Sequence, residues 1–117
     1  DFEKTIQNTA RWGTFEKTPE QLQPVVESMR KLGAATAIRQ TRAIMKRSDH
    51  RGQLRGLDIP VHIICGKEDR ITPIALSQEL AQTIPTAQLQ MIERAGHMLP
   101  LEQPVLIAES MSARIVG

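Results

Sequence analysis

Aromatic residues and cysteines are scarce in this chain. Aromatic side chains make up 3% of the 117 residues and tyrosine is absent, so few rings are available to stack on nucleic-acid bases. The single cysteine, Cys65, cannot form an internal disulfide, and its place in an apolar run predicts a small core residue. No apolar stretch approaches the roughly 18 residues of a membrane span, and Asp1–Lys4 do not resemble a signal peptide. We therefore expect a cytoplasmic globular protein that binds neither membrane nor nucleic acid.

Motifs for metals and cofactors are also missing. The chain has no cysteine pair, no H-E-x-x-H, no phosphate-binding loop and no dinucleotide fingerprint. Of the isolated histidines, His62 lies in an apolar run and is predicted to be a core residue with a hydrogen-bond partner, whereas His50 lies in a basic loop and is predicted to be solvated. We expect no metal and no cofactor.

Positive charge is concentrated between residues 30 and 55, although the net charge of the chain is only +2. The basic residues of this stretch face a single acid, Asp49, and they are Arg30, Lys31, Arg39, Arg42, Lys46, Arg47, Arg51 and Arg55. Helical spacing from Ala34 onward places several of them on one flank of an amphipathic helix. Such a flank can bind anionic substrates, phospholipid or nucleic acid, or it can be a solvated face balanced by acids elsewhere in a larger protein. The shortage of aromatic residues favours the solvated face.

The first half of the chain, residues 1–57, contains helical patterns and no convincing strand. The first helix is predicted over residues 2–12. Thr18 and Pro19 then form a typical helix start, with a side-chain cap followed by proline at the first helical position. We expect Pro24 to bend or restart this second helix, since proline removes a backbone donor inside a helix.

The second half alternates strand, helix, strand and helix, which indicates an α/β fold with two parallel strands joined by crossover helices. The run at residues 59–65 predicts an interior strand buried on both faces, and residues 88–92 alternate as an edge strand does. Thr72 and Pro73 are predicted to cap the helix between them. A last helix should start at Pro104. Its inward stripe is predicted to be Val105, Ala108, Met111 and Ile115.

Asp69 and His97 each follow one of these strands, so both should lie at the same edge of the sheet. An imidazole that acts as a general base must be held in one tautomer, and a carboxylate that accepts from Nδ1 does this. Asp69 would orient the ring and His97 would transfer the proton, with an oxygen-to-Nδ1 distance of about 2.6 to 3.2 Å. Glu68 is the rival carboxylate. The simpler alternatives are a helix cap for Asp69 and a surface turn for His97.

The segment from Pro60 to Pro104 resembles the C-terminal part of α/β-hydrolase fold enzymes, in which one strand ends in a G-x-x-D turn and the next in an A-G-H turn. The residues that carry the resemblance are Pro60, Gly66, Asp69, Pro73, Ile84, Pro85, Ala87, Leu89, Gly96, His97, Leu101, Glu102 and Pro104. The resemblance implies a helical cap at residues 1–57 and the end of the hydrolase core at residues 58–117. It also favours Asp69 over Glu68 and implies that Glu102 accepts from backbone amides in the loop holding His97.

The nucleophile elbow of that family, G-x-S-x-G, is absent from this chain. None of the serines considered as substitutes sits on a strand-to-helix turn flanked by glycines, and these are Ser48, Ser77, Ser110 and Ser112. The resemblance thus implies a fragment that supplies the acid and histidine of a Ser-Asp-His triad for an ester, lactone or related acyl substrate. We expect the chain to be inactive alone and to pair with the missing N-terminal half or with a second copy. The alternative is a binding or assembly module that keeps the hydrolase frame without its chemistry.

Overall fold

The computed structural model describes residues 1–116, which form seven helices and two strands. Gly117, the last residue of the predicted core segment, lies outside the described residues. Every helix in the described part of the chain is too short or too polar to span a lipid bilayer. The elements are α1 (Phe2–Gly13), α2 (Pro19–Leu32), α3 (Ala34–Met45), α4 (Arg51–Leu54), β1 (Val61–Gly66), α5 (Ile74–Thr83), β2 (Ala87–Ile92), α6 (Leu99–Glu102) and α7 (Pro104–Val116).

The helical half begins with two capped helices that pack against each other. The Asp1 carboxylate accepts from the first backbone amides of α1, and the Thr18 hydroxyl accepts from Gln21 N at 3.3 Å, as the sequence predicted for the start of α2. The apolar sides of the two helices form a small core. Its buried members are Ile6, Ala10, Leu22, Val25 and Val26.

Helix α2 runs without interruption through Pro24, so the expected restart of the helix does not occur. Proline costs the helix one backbone hydrogen bond, but Leu22, Val25 and Val26 on either side of it are buried against α1. This packing keeps the helix continuous. The next helix, α3, has no buried residue, and its basic flank is exposed in the described structure.

Strands β1 and β2 pair in parallel, from Val61 opposite Ala87 to Gly66 opposite Ile92, and α5 is the connection between them. The first strand starts after Pro60, not at residue 59, because proline has no amide to give to a ladder. Its burial also corrects the prediction of an interior strand, since only its last two residues are fully buried. Cys65 is one of them, as predicted.

The last helix also differs from the prediction. Val105 is 67% exposed, Met111 54% and Ile115 81%, and Ala108 is exposed as well, so the stripe expected to face inward faces outward. The physical reason is the small size of the sheet. Two strands are too few to cover the apolar faces of the helices that flank them, so the apolar face of α7 stays exposed.

The burial of His62 differs from the prediction in the same way. It is half-buried in β1, and its Nδ1 accepts from Arg114 Nε of α7 at 3.2 Å. It therefore has the expected partner, but at the surface and not in a core.

Candidate active site

Asp69 and His97 lie at one edge of the sheet because β1 and β2 end together. The loops that follow the two strands are tied to each other by backbone bonds, from Lys67 N to Ile92 O and from Glu68 N to Ala95 O, each 2.9 Å long. These bonds extend the parallel pairing past the last residues of the strands. The two turns are therefore held side by side before any side chain is considered.

The side chains of Asp69 and His97 are joined by a hydrogen bond of 2.9 Å between Oδ2 and Nδ1. The distance falls within the range expected from the sequence. The Asp69 side chain is 7% exposed and that of His97 is 36% exposed, so the carboxylate lies behind the imidazole. A proton on Nδ1 leaves Nε2 as the basic nitrogen of the ring. This geometry is compatible with His97 as a general base and Asp69 as the carboxylate that orients it.

The carboxylate of Asp69 is held from two directions. Its second oxygen, Oδ1, accepts from the backbone amides of Ile71 and Thr72, both at 2.9 Å. Partial burial acts to raise the pKa of Asp69, but the bonds from the Thr72 amide, from His97 and from the Thr72 hydroxyl together hold this pKa below its ordinary value. Asp69 is therefore kept ionised, as the partner of an imidazolium must be.

Thr72 does not cap α5 as the sequence predicted. That helix starts at Ile74 with Pro73 in the cap position and no side-chain cap bond. The Thr72 hydroxyl instead lies 3.0 Å from Oδ2 of Asp69 and 3.2 Å from Nδ1 of His97. Sequence reasoning missed this contact. The only available signal was a hydroxyl residue three positions after the acid, and that signal is also typical of a cap.

Glu102 is the buried acceptor for the histidine loop, as the resemblance implied. Its carboxylate accepts from Gly96 N at 2.9 Å, from Met98 N at 2.9 Å and from Phe15 N at 2.6 Å. The first two amides flank His97 on both sides. Glu102 is 7% exposed, and such burial of a carboxylate requires partners of this kind. Its role is to fix the backbone from which the imidazole projects.

The end of α1 touches the same loop. His97 N donates to Gly13 O at 2.7 Å, and a β-carbon on Gly96 would come within 2.6 Å of that oxygen. This close approach of two backbones requires glycine at position 96. The helical half and the histidine loop are thus in direct contact through Gly13.

The remaining candidates form no hydrogen bond to Asp69 or His97 in the described structure, although Ser48 and Ser77 line a groove that also contains Thr72. Glu68 is exposed, and His50 bonds to Gln53 on the surface at 2.9 Å. No group of three potential metal ligands occurs among residues 1–116. The serines considered above lie before α4, within α5 and within α7, at Ser48, Ser77, Ser110 and Ser112.

A groove reaches Thr72 from the side of α4 and α5. Its charged wall includes Asp49 and Arg51, and Arg51 also bonds Glu79 of α5 at 2.7 Å. The apolar side chains along it are Ile44, Leu54, Leu76 and Leu80. Thr72 is the member of the Thr72–Asp69–His97 contacts that lines this groove.

The chain is similar in sequence to several hydrolases. It is 29% identical over 106 residues to 3-oxoadipate enol-lactonase 2 of Acinetobacter baylyi, which covers 88% of this chain and 39% of the lactonase. It is 35% identical over 60 residues to the uncharacterized hydrolase YugF of Bacillus subtilis, covering 51% of this chain and 22% of that protein. The chain thus spans well under half the length of these relatives. No protein-family model matches it.

The structural comparison covers the whole chain. An esterase from Exiguobacterium antarcticum superposes with a TM-score of 0.85 at 18% sequence identity, over 100% of this chain and 44% of the esterase. Agreement over every described element at so low an identity is agreement in fold. The chain therefore has the fold of the C-terminal part of an α/β-hydrolase, and it is similar in sequence to the hydrolases above.

Proposed function

We propose that this chain supplies the acid and the base of a Ser-Asp-His triad that hydrolyses an ester, a lactone or a related acyl substrate. The observation that carries the proposal is the 2.9 Å bond from His97 to a shielded Asp69 at the strand-end edge of the sheet. A lactonase among the relatives and an esterase among the structural neighbours favour acyl chemistry.

In the proposed reaction, a serine outside this chain attacks the acyl carbon and forms a new carbon–oxygen bond. His97 Nε2 takes the hydroxyl proton, and Asp69 stabilises the imidazolium. The bond to the leaving group breaks and His97 returns the proton to that group. Water, deprotonated by the same nitrogen, then releases the acid and restores the serine. The oxyanion hole would also come from outside the chain.

The proposed division of the chain follows from these roles. Residues 1–57 would form the cap over the site, and residues 58–117 the end of the catalytic core. The missing N-terminal half of the hydrolase, or a second copy of this chain, would pair with the free edge of β1. An apolar part of the substrate would bind in the groove at Thr72. The chain alone should be inactive, since a base and its orienter lack a nucleophile.

The test uses the product of the whole reading frame that encodes this chain, called the complete protein below. It should hydrolyse p-nitrophenyl acetate or an aliphatic lactone, and His97→Ala should abolish this while the control His62→Ala, in β1 and outside the groove, should not. Asp69→Asn should lower turnover by up to about 10⁴-fold with the fold intact. Glu68→Gln should leave turnover unchanged.

Three outcomes would contradict the proposal. Hydrolysis that survives His97→Ala would remove the base from the mechanism. Near-normal turnover of Asp69→Asn would transfer the orienting role to another carboxylate, with Glu68 the first to be examined. A complete protein that hydrolyses neither substrate class, but forms a stable complex through β1, would instead be the binding module considered from the sequence.

A further inference from the structure

Thr72 occupies a position between the two members of the proposed pair. Its hydroxyl oxygen is 3.0 Å from Oδ2 of Asp69 and 3.2 Å from Nδ1 of His97, and these two atoms are themselves 2.9 Å apart. Three polar atoms therefore form a closed triangle. A threonine hydroxyl has one proton to donate and lone pairs to accept with, so it can engage both partners at once.

The roles within the triangle follow from charge. An ionised carboxylate only accepts, so the Thr72 hydroxyl must donate to Oδ2. The Nδ1 proton of His97 also points to Oδ2, and the Thr72 oxygen is placed to share it. His97 is the charged group that acts on the Asp69 carboxylate through space. The other hydrogen-bond donors to this carboxylate are the backbone amides of Ile71 and Thr72.

We propose that Thr72 is a positioning residue of the triad, whose hydroxyl fixes the carboxylate plane of Asp69 and the ring of His97 in the orientation that proton transfer requires. The inference rests on the proposed function for its catalytic consequence. The backbone amide of Thr72 binds Oδ1 and the hydroxyl binds Oδ2, so one residue holds both oxygens of the acid. Rotation of the carboxylate would break both bonds.

Thr72→Val in the complete protein removes the hydroxyl and keeps the side-chain shape and the backbone amide. We expect kcat/KM for p-nitrophenyl acetate to fall about tenfold, the effect of losing one hydrogen bond to a charged group. The acid limb of the profile of kcat/KM against pH, which reports the Asp69–His97 pair as a unit, should move to higher pH. Thr72→Ser keeps the hydroxyl and should restore both the value of kcat/KM and the position of the acid limb.

The matched control is Thr83→Val. The hydroxyl of Thr83 donates to Glu79 O within α5 at 2.8 Å, away from the pair, so its loss should change neither rate nor profile. If kcat/KM of the Thr72→Val protein stayed within about twofold of the wild-type value at every pH, the proposal would be overturned. A Thr72→Ser protein as impaired as Thr72→Val would also overturn it, because serine keeps the hydroxyl and retention of the hydroxyl would then not be enough to restore the rate.

A second measurement does not depend on turnover. The Nδ1 proton of His97 should give a low-field ¹H NMR signal in the complete protein, absent in His97→Ala and displaced in Thr72→Val. An undisplaced signal in Thr72→Val would contradict the proposed contact even if the protein is an active hydrolase. A displaced signal in a protein that hydrolyses nothing would support the contact while the proposed function fails.

Discussion

Gly66 and Gly96 meet through their backbones at the point where the two proposed catalytic loops leave the sheet. A β-carbon built on Gly66 would lie 2.2 Å from Gly96 O and 2.5 Å from Ala95 O. Both obstacles are main-chain atoms, which cannot swing away as a flexible side chain would. The absence of a side chain at residue 66 thus sets how closely the acid loop approaches the histidine loop.

Gly66→Ala should therefore destabilise the complete protein by about 3 kcal/mol, at the upper end for overpacked sites, and should reduce turnover. The matched control is Gly52→Ala in α4, where an added β-carbon meets nothing within 4 Å. Its free energy of unfolding should be unchanged or slightly higher. Urea unfolding of both variants checks this. Equal stabilities for the two would mean that the loops shift apart without cost.

Glu102→Ala should remove the common acceptor of three backbone amides, those of Phe15, Gly96 and Met98. The bond from Gly96 N is buried and the other two are part-buried, and a buried donor without a partner costs about 1 to 3 kcal/mol, so the free energy of unfolding should fall by about that much. Glu102→Gln keeps one acceptor oxygen, so its free energy of unfolding should fall by less than that of Glu102→Ala.

The exposed Glu109 on α7 provides the control for this experiment. Glu109→Ala should change the free energy of unfolding by no more than about 0.5 kcal/mol, as is usual for surface positions. If Glu102→Ala were as mild as Glu109→Ala, the histidine loop would be held by other bonds. In that case His97 N to Gly13 O would be the first to examine.

The lowered pKa of Asp69 predicts an acid-dependent contribution to stability. A carboxylate whose pKa is lower in the folded than in the unfolded state stabilises the protein above its ordinary pKa of 3.8, and this contribution is lost as the pH falls through the folded value. The stability difference between wild type and Asp69→Asn should thus be constant near neutral pH and shrink below about pH 4.

Urea unfolding at a series of pH values measures this difference, and Asp58→Asn is the control because Asp58 is exposed. The difference in the free energy of unfolding between Asp58→Asn and wild type should not shrink comparably on acidification. A difference for Asp69→Asn that grew on acidification would mean that the folded protein binds the protonated acid better, against the contacts described above.

The free edge of β1 and the exposed apolar side of α7 predict association of the isolated chain. Unpaired strand edges and large exposed apolar patches both favour contact with another polypeptide. Residues 1–117 alone should elute as a dimer or larger species, and Met111→Glu should weaken this association more than the matched change Ser112→Glu. Size-exclusion chromatography with light scattering checks it. A cooperatively unfolding monomer of 13.1 kDa would contradict the prediction.

The features that the sequence determined by itself depend on short-range spacing. Thr18 before Pro19 marks the start of α2. Two apolar runs joined by a helical pattern indicate a parallel pair, and Asp69 and His97 follow those runs. Because the carboxyl ends of parallel strands lie at one edge, the proximity of Asp69 and His97 could be predicted without coordinates. Glu102 was predicted in a different way, from the resemblance of the residues around it to a known family.

The tertiary structure alone decided the features that depend on distant contacts. A threonine three positions after Asp69 fits a helix cap and a contact with Asp69 and His97 equally well, and only the approach of His97 from the other loop selects the contact. Gly13 binds His97 N across 84 positions of chain, which no local pattern encodes.

The exposure of Met111 and its neighbours on α7 is another feature that the local sequence could not predict. Periodicity determines which residues share a helix face, but whether that face is buried depends on how much sheet is present to cover it. In residues 1–116 the sheet has two strands, and that is too few.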